Sequence, residues 1–211
     1  NHVLRVTEYP ALSADFQMHS VWSDGGETLD EMADGCLARG YTHAAITDHS
    51  GGLAIARGMP EQKITEQRKA IDRVNDRLGK RFRLLQGLET NIDVDGGLDV
   101  PAETLRSIDI VLAAPHAGLR STARQTERFL KVVRTPGVHI LAHPTGRKYD
   151  SRAGILANWR KVFDAAAEAQ VAIEIDGDPS RQDCSFELAA EAEAAGCLFA
   201  LDSDAHATDE L

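Results

Sequence analysis

The 211 residues are 43% hydrophobic and carry a formal net charge of −10. That is enough apolar material for one α/β domain, and the wrong sign for tight, non-specific binding to nucleic acid. No run of about eighteen apolar residues offers a membrane span, and no signal-peptide pattern is present.

In chain order, the first informative stretch is Asp15-Phe16-Gln17-Met18-His19, an apolar lead-in followed by a Ser23-Asp24-Gly25 turn. On a strand, Gln17 and His19 point to one face, and Asp24 folds back over it. A helix follows from about Thr28 to Arg39, with Leu29, Met32, Ala33, Cys36 and Leu37 on its stripe and Gly40 ending it. The short apolar run Thr42 to Thr47 closes on Asp48-His49. A helix from Glu61 to Leu78 buries Ile64, Ile71, Val74 and Leu78, and a strand from Phe82 to Leu88 then delivers Glu89. A short helical turn after Pro101 precedes a strand from Ile108 to Ala114, which delivers His116.

Thr122 is read as the N-cap of a helix ending at Pro136-Gly137. A strand from Val138 to Ala142 delivers His143. The basic loop Arg147 to Arg152 leads to a helix carrying Trp159, Val162, Phe163, Ala166 and Ala167 on one face. A strand from Val171 to Ile175 runs into Asp176. The last helix ends near Gly196, and a strand from Cys197 to Leu201 delivers Asp204 and His206. Cys36, Cys184 and Cys197 form no CxxC pair and read as reduced thiols of a cytoplasmic protein.

Seven strands alternating with helices imply a parallel sheet covered on both faces. Nearly every strand ends in a polar ligand, and only a closed barrel brings all strand ends to one rim. The expectation is therefore a distorted (β/α)7 TIM-like barrel forming a single domain over 1–211, with a metal centre at the C-terminal rim. The rim groups are Gln17, His19, Asp24, His49, Glu89, His116, His143, Asp204 and His206, whereas His2, His43 and His139 fall elsewhere. Any one of these residues alone is more often structural. Repetition at strand end after strand end is what points to metal, and imidazole with carboxylate and no thiolate suits Zn, Mn or Fe. Three dications would bring the charge to about −4 and concentrate positive charge where a phosphate sits.

The stretches MHSVWSDG, AITDHS, GLETNID, HPTGR, EIDGDPSRQD and SDAH resemble those of a PHP (polymerase and histidinol phosphatase) domain, specifically the C-terminal PHP module of bacterial family X DNA polymerases. The resemblance runs from Asp15 to His206. It implies three metals: one on Gln17, His19, Glu89 and Asp204; a second sharing Glu89 with His116 and His143; a third on Asp24, His49 and His206. Gln17 stands where histidine is usual in the wider family, which predicts a looser first site.

Beside that resemblance, Glu89 is the carboxylate placed to bridge two metals, with His116 and Asp204 beside it in the catalytic group. Two metals about 3.5–4 Å apart generate a hydroxide for in-line attack at phosphorus. Arg147, Lys148 and Arg181 are candidates to neutralise phosphate oxygens. The reading is a phosphoric ester hydrolase using two or three divalent metals on nucleic-acid 3′ ends, such as single-stranded DNA, as a 3′–5′ exonuclease or 3′-phosphatase. The alternatives are a small-molecule phosphatase of histidinol-phosphatase type and, behind it, a structural polymerase module. An amidohydrolase-type barrel would need a strand-end lysine, and no lysine falls at one. The chain is expected to be a piece of a longer one, with a polymerase domain beside it and a cover for the outer face of the last strand.

Overall fold

The computed structural model describes residues 12–211; His2 lies outside them. Six parallel strands form one sheet in sequential order: β1 (His43–Ile46), β2 (Arg83–Asn91), β3 (Ile110–Ala114), β4 (Ile140–Leu141), β5 (Ala172–Asp176) and β6 (Phe199–Asp202). Six helices accompany them: α1 (Leu29–Ala38), α2 (Glu61–Leu78), α3 (Ala102–Ser107), α4 (Gln125–Val133), α5 (Trp159–Ala169) and α6 (Phe186–Ala195). No helix of the described residues is long and apolar enough to cross a membrane.

The sheet curls into a half-barrel, so its two faces bury different things. Leu112, Ala114, Ile140, Ala142 and Ala200 meet on the concave side, with Phe16 packed against them. On the convex side Phe129, Val132, Trp159, Val162 and Phe163 join α4 and α5 to the strands. Met32, Cys36, Ile71, Val74 and Leu84 do the same for α1, α2 and the first strands. Thr28 caps α1 through a reciprocal box with Glu31, satisfying two N–H groups that the first turn leaves orphaned.

Two expectations are corrected. The segment Asp15 to His19 is not a regular strand, and among the described residues the sheet has six strands rather than seven. On the β1 side it accepts backbone bonds, Ala45 N–H to Asp15 O and Thr47 N–H to Met18 O at 2.9 and 2.8 Å. On the β6 side carboxylates replace carbonyls. Asp202 Oδ1 accepts from Phe16 N at 2.8 Å, and Asp15 Oδ1 accepts from Ser203 N at 3.3 Å. Only the Met18–Ala205 bridge is ladder-like, because side chains have taken the partners that a strand pair would use.

Thr122 is not a cap either. Residues 118–124 fold into a turn, Ser121 N–H donating to Gly118 O at 3.0 Å. α4 then starts after Arg124, whose φ is 56°. Leu198, just before β6, and Leu201 within it remain about half exposed, at 57% and 48%.

Candidate metal centre

Local sequence explains how each ligand reaches the rim. Gln17 and His19 sit two apart on the irregular first segment and are fully buried. The following turn is tight: a Cβ on Gly25 would lie 2.5 Å from the His19 carbonyl carbon, so only glycine lets Asp24 fold back. His49 follows β1 and Glu89 lies within β2, while His116, His143 and the Asp204–His206 pair follow β3, β4 and β6. His143 and Asp204 have φ of 26° and 54°, a left-handed backbone that costs on the order of 1–3 kcal/mol and is retained where a site requires it.

All nine predicted ligands converge. Glu89 is 1% exposed and faces four imidazoles: His19 Nε2 at 3.4 Å and His49 Nδ1 at 3.2 Å from Oε2, His116 Nε2 at 3.3 Å and His143 Nε2 at 2.9 Å from Oε1. Asp204 Oδ1 lies 3.0 Å from His19 Nε2. Asp24 Oδ1 lies 3.6 Å from His49 Nε2 and 3.7 Å from His206 Nε2. Three sets of ligand atoms each fall within 4.8 Å: His19, Asp24, His49 and His206; His49, Glu89 and His116; His19, Glu89 and Asp204. Metal ions fit this donor set on a further ground. Nδ1 of His19, His49 and His143 is buried with no hydrogen-bond partner, a costly state that coordination or a rearranged proton relieves.

The electrostatics of the metal-free site follow from burial and neighbours. Burial opposes the charge of Glu89, but His49, with the bonds from His116 and His143, outweighs it and holds the carboxyl well below the usual range. Burial likewise opposes Asp24, yet His206 and His49 bring it down to about 2. Desolvation disfavours the His19 cation, but Asp204 and Glu89 overcome it and raise the ring to about 9. His49 goes the other way, to about 4, because its burial prevails over Glu89.

Several residues outside the predicted list hold the ligands. Asp48 is fully buried and accepts from Ser20 N, Ser20 Oγ, Ser23 Oγ and Gln67 Nε2 at 2.6–2.8 Å; it pins the turn that carries Asp24. Asn91 Oδ1 lies 2.7 Å from His116 Nδ1, and Asn91 Nδ2 donates to Asp99 Oδ2 at 2.6 Å. This chain leaves His116 Nε2 free for the centre. Asp183 accepts from Thr145 Oγ1 and Arg147 N at 2.6 and 2.7 Å, tying together the loops after β4 and β5. Glu174 and Asp176, two apart on β5, point carboxylates into the concave side beneath Gln17 and Asp204. Their signal was legible: two acids at a period of two within an otherwise apolar strand.

The predicted cations divide. Arg181 lies at the centre, its Nη2 3.0 Å from Asp204 Oδ2 and its Nε 3.1 Å from Asp176 Oδ2. It lines a cavity of about 230 Å³ with Asp24, His49, Glu89, His116, Asp204 and His206. Lys148 lines a larger neighbour of about 670 Å³ with Arg181, Asp204, His206, Asp178 and Glu210. Arg147 lies one layer out: its Nε donates to the Arg181 carbonyl at 3.3 Å and its guanidinium lies 5.1 Å from the Tyr149 ring centre. All three cysteines are free.

No family model matches the chain. It is 34% identical, over 99% of its length, to the DNA polymerase/3′-5′ exonuclease PolX of Bacillus subtilis, of which it spans only 36%. It is 30% identical, over 91% of its length, to the probable phosphatase YcdX of Escherichia coli K12, covering 78% of that protein. The fold matches the histidinol phosphate phosphatase of Lactococcus lactis, solved with Zn, L-histidinol and phosphate, at a TM-score of 0.68 and 17% identity, over 93% of this chain and 87% of that one. A putative histidinol phosphatase of Listeria monocytogenes gives 0.73 at 10% identity, over 94% and 97%. With the phosphatase likeness spanning most of both proteins and the rim built from imidazoles and carboxylates, the chain belongs to the PHP family of metal-dependent phosphoesterases.

Proposed function

We propose that this phosphoesterase acts on nucleic-acid 3′ ends, as a 3′–5′ exonuclease or 3′-phosphatase, and that it works beside a polymerase domain in a longer chain. The observation that carries the hydrolytic reading is Glu89, one buried carboxylate facing four imidazoles at 2.9–3.4 Å. The observation that favours nucleic acid is the greater identity, over nearly the whole chain, to the Bacillus polymerase/exonuclease.

In this reading three divalent ions, Mn, Zn or Fe, would be held with Glu89 shared between two of the sites. Gln17, His19 and Asp204 would complete one, His116 and His143 the second, and Asp24, His49 and His206 would hold the third. Bound there, such ions supply Lewis-acid activation of water and neutralise charge developing at phosphorus. Arg181 keeps Asp204 oriented while its remaining N–H edge faces the small cavity, and Lys148 offers a positive charge to a phosphate entering beside His206. Arg147 supports that loop from behind. Segment 13–19 acts as the seventh stave of a distorted (β/α)7 barrel.

A second reading, a small-molecule phosphomonoesterase, is favoured by the larger cavity. Its Asp178 and Glu210 would suit an amine-bearing leaving group. The Mn²⁺-loaded chain, offered labelled single-stranded DNA, 3′-phosphorylated DNA and histidinol phosphate, separates the two. Nucleotide or phosphate release from DNA is expected, with binding that weakens with salt at a log–log slope of about −0.7 per contacted phosphate, for roughly two or three contacts. Robust turnover of histidinol phosphate with no attack on DNA would establish the second reading.

A further inference from the structure

The rim contains one ligand whose chemistry is ambiguous. An imidazole or a carboxylate presents a lone pair almost whichever way it turns, but a glutamine amide presents an oxygen at one end and an N–H₂ at the other. For Gln17 to serve a cation, its oxygen must face the centre and its nitrogen must face away. Something behind Gln17 has to enforce that choice.

The group behind it is Glu174. Its side chain is fully buried, so it has no water to turn to, and a buried carboxylate without donors is costly. The His143 backbone N–H supplies one bond, at 2.5 Å to Oε2. Gln17 supplies the other. With its nitrogen toward Glu174, the amide donates at 3.1 Å to Oε2 and also contacts Oε1. With its oxygen there and Glu174 ionised, the state a dication in the centre favours, two acceptors would oppose each other, and the amide nitrogen would be left one longer contact, 3.3 Å to Asp204 Oδ1. The amide is thus sorted by what it faces, and the same carboxylate braces the backbone of His143, whose φ of 26° needs an external restraint.

We propose that Glu174 is a positioning residue that fixes the polarity of the Gln17 amide, turning its oxygen toward the metal centre and so making a neutral side chain a competent ligand. The inference rests on the PHP metal-centre reading and adds to it the requirement that the glutamine variant of this site depends on an acceptor at position 174. A histidine at position 17 would present one ring nitrogen to the metal and still donate from the other.

Glu174→Gln isolates the effect. The new side chain keeps an oxygen for the His143 N–H but replaces the second acceptor with N–H₂, which would hold the Gln17 oxygen and turn its nitrogen to the metal. Competitive Mn²⁺ titration of the full chain should show one site weakened by about 10–100-fold, the range for loss of an outer-shell partner. The same change in a Gln17→Ala background should alter that site by less than about 3-fold, since coupled residues are non-additive. Equal losses in both backgrounds would mean that Glu174 acts through His143 or the fold, and unchanged affinity in the single variant would mean that it sets nothing; either result overturns the proposal. If Glu174→Gln does not fold, crystals of the Zn²⁺-loaded wild type decide, because a Gln17 amide turned away from Glu174 also overturns it. Failure of the wild type to bind metal at all would instead overturn the metal-centre reading.

Discussion

Glu89 on β2 and Glu174 on β5 are both buried carboxylates of one curled sheet, and their surroundings drive them apart. Around Glu89 stand four histidines, which hold it well below the ordinary range despite burial. Around Glu174, burial and the neighbouring Asp202, Asp176 and Asp204 carboxylates push it well above. Asp176 and Asp202 follow to about 7, burial again leading, with Asp204 acting on the first and Asp15 on the second. Arg181 is the cation set among them. Burial is common to both walls, so the sign of the neighbours decides. The β1–β3 wall keeps its carboxylate ionised, while the crowded β5–β6 carboxyls favour holding protons that a dication would displace.

That contrast breaks most completely at Glu89. Glu89→Ala removes the group shared by four imidazoles, and kcat/KM should fall by more than about 100-fold, beyond the range for an outer-shell partner. Metal content, measured by elemental analysis, should fall with it. Retention of full metal content would show that the histidines suffice without their shared carboxylate.

The next effect sharpens the imidazole wall. Asn91→Ala takes the acceptor from His116 Nδ1 and disconnects it from Asp99. Metal affinity should drop by about 10–100-fold with little change in the far-UV CD spectrum; an unchanged metal titration would separate this pair from function.

The third compares the walls through pH in chelator-stripped protein. His19 has its folded value raised to about 9 from 6.5, so its stabilising contribution is complete below pH 6.5 and is lost as pH rises to 9. Asp176 and Asp202, raised from 3.8 to about 7, lose theirs between pH 4 and 7. Thermal melts of the stripped chain should therefore decline from pH 6.5 to 9. Loaded protein should be flatter, because metal displaces the His19 proton. A stripped chain that gains stability over that window would contradict the assignment. The smallest effect belongs to Gln17→His, expected to raise metal occupancy while moving turnover only modestly, since a fuller coordination sphere also costs open positions. Unchanged metal affinity would place Gln17 outside the coordination sphere.

The converging rim was legible because polar side chains recur at the close of one apolar run after another, a repetition that single structural residues do not produce. His49 after Ile46, Glu89 after Leu88 and His143 after Ala142 announce themselves in this way. The irregular first segment was not legible, because Asp15 and Asp202 replace ladder carbonyls for partners 188 and 186 positions away in sequence, and no local pattern reports a long-range side-chain partner. Thr122 has a good capping side chain, but the Gly118–Ser121 turn claims that stretch first. Glu174 could have been noticed as an acid inside an apolar strand, but its partners, Gln17 and the His143 N–H, come together only in the curled sheet.

The most direct test of a metal-dependent phosphoesterase built on Glu89 is hydrolysis of a phosphate monoester by the chelator-stripped chain, before and after Mn²⁺ is restored and with bound metal counted in each state. The account predicts negligible turnover when stripped, two or three ions regained, and activity returning in proportion to them; undiminished hydrolysis by verified metal-free protein would contradict it.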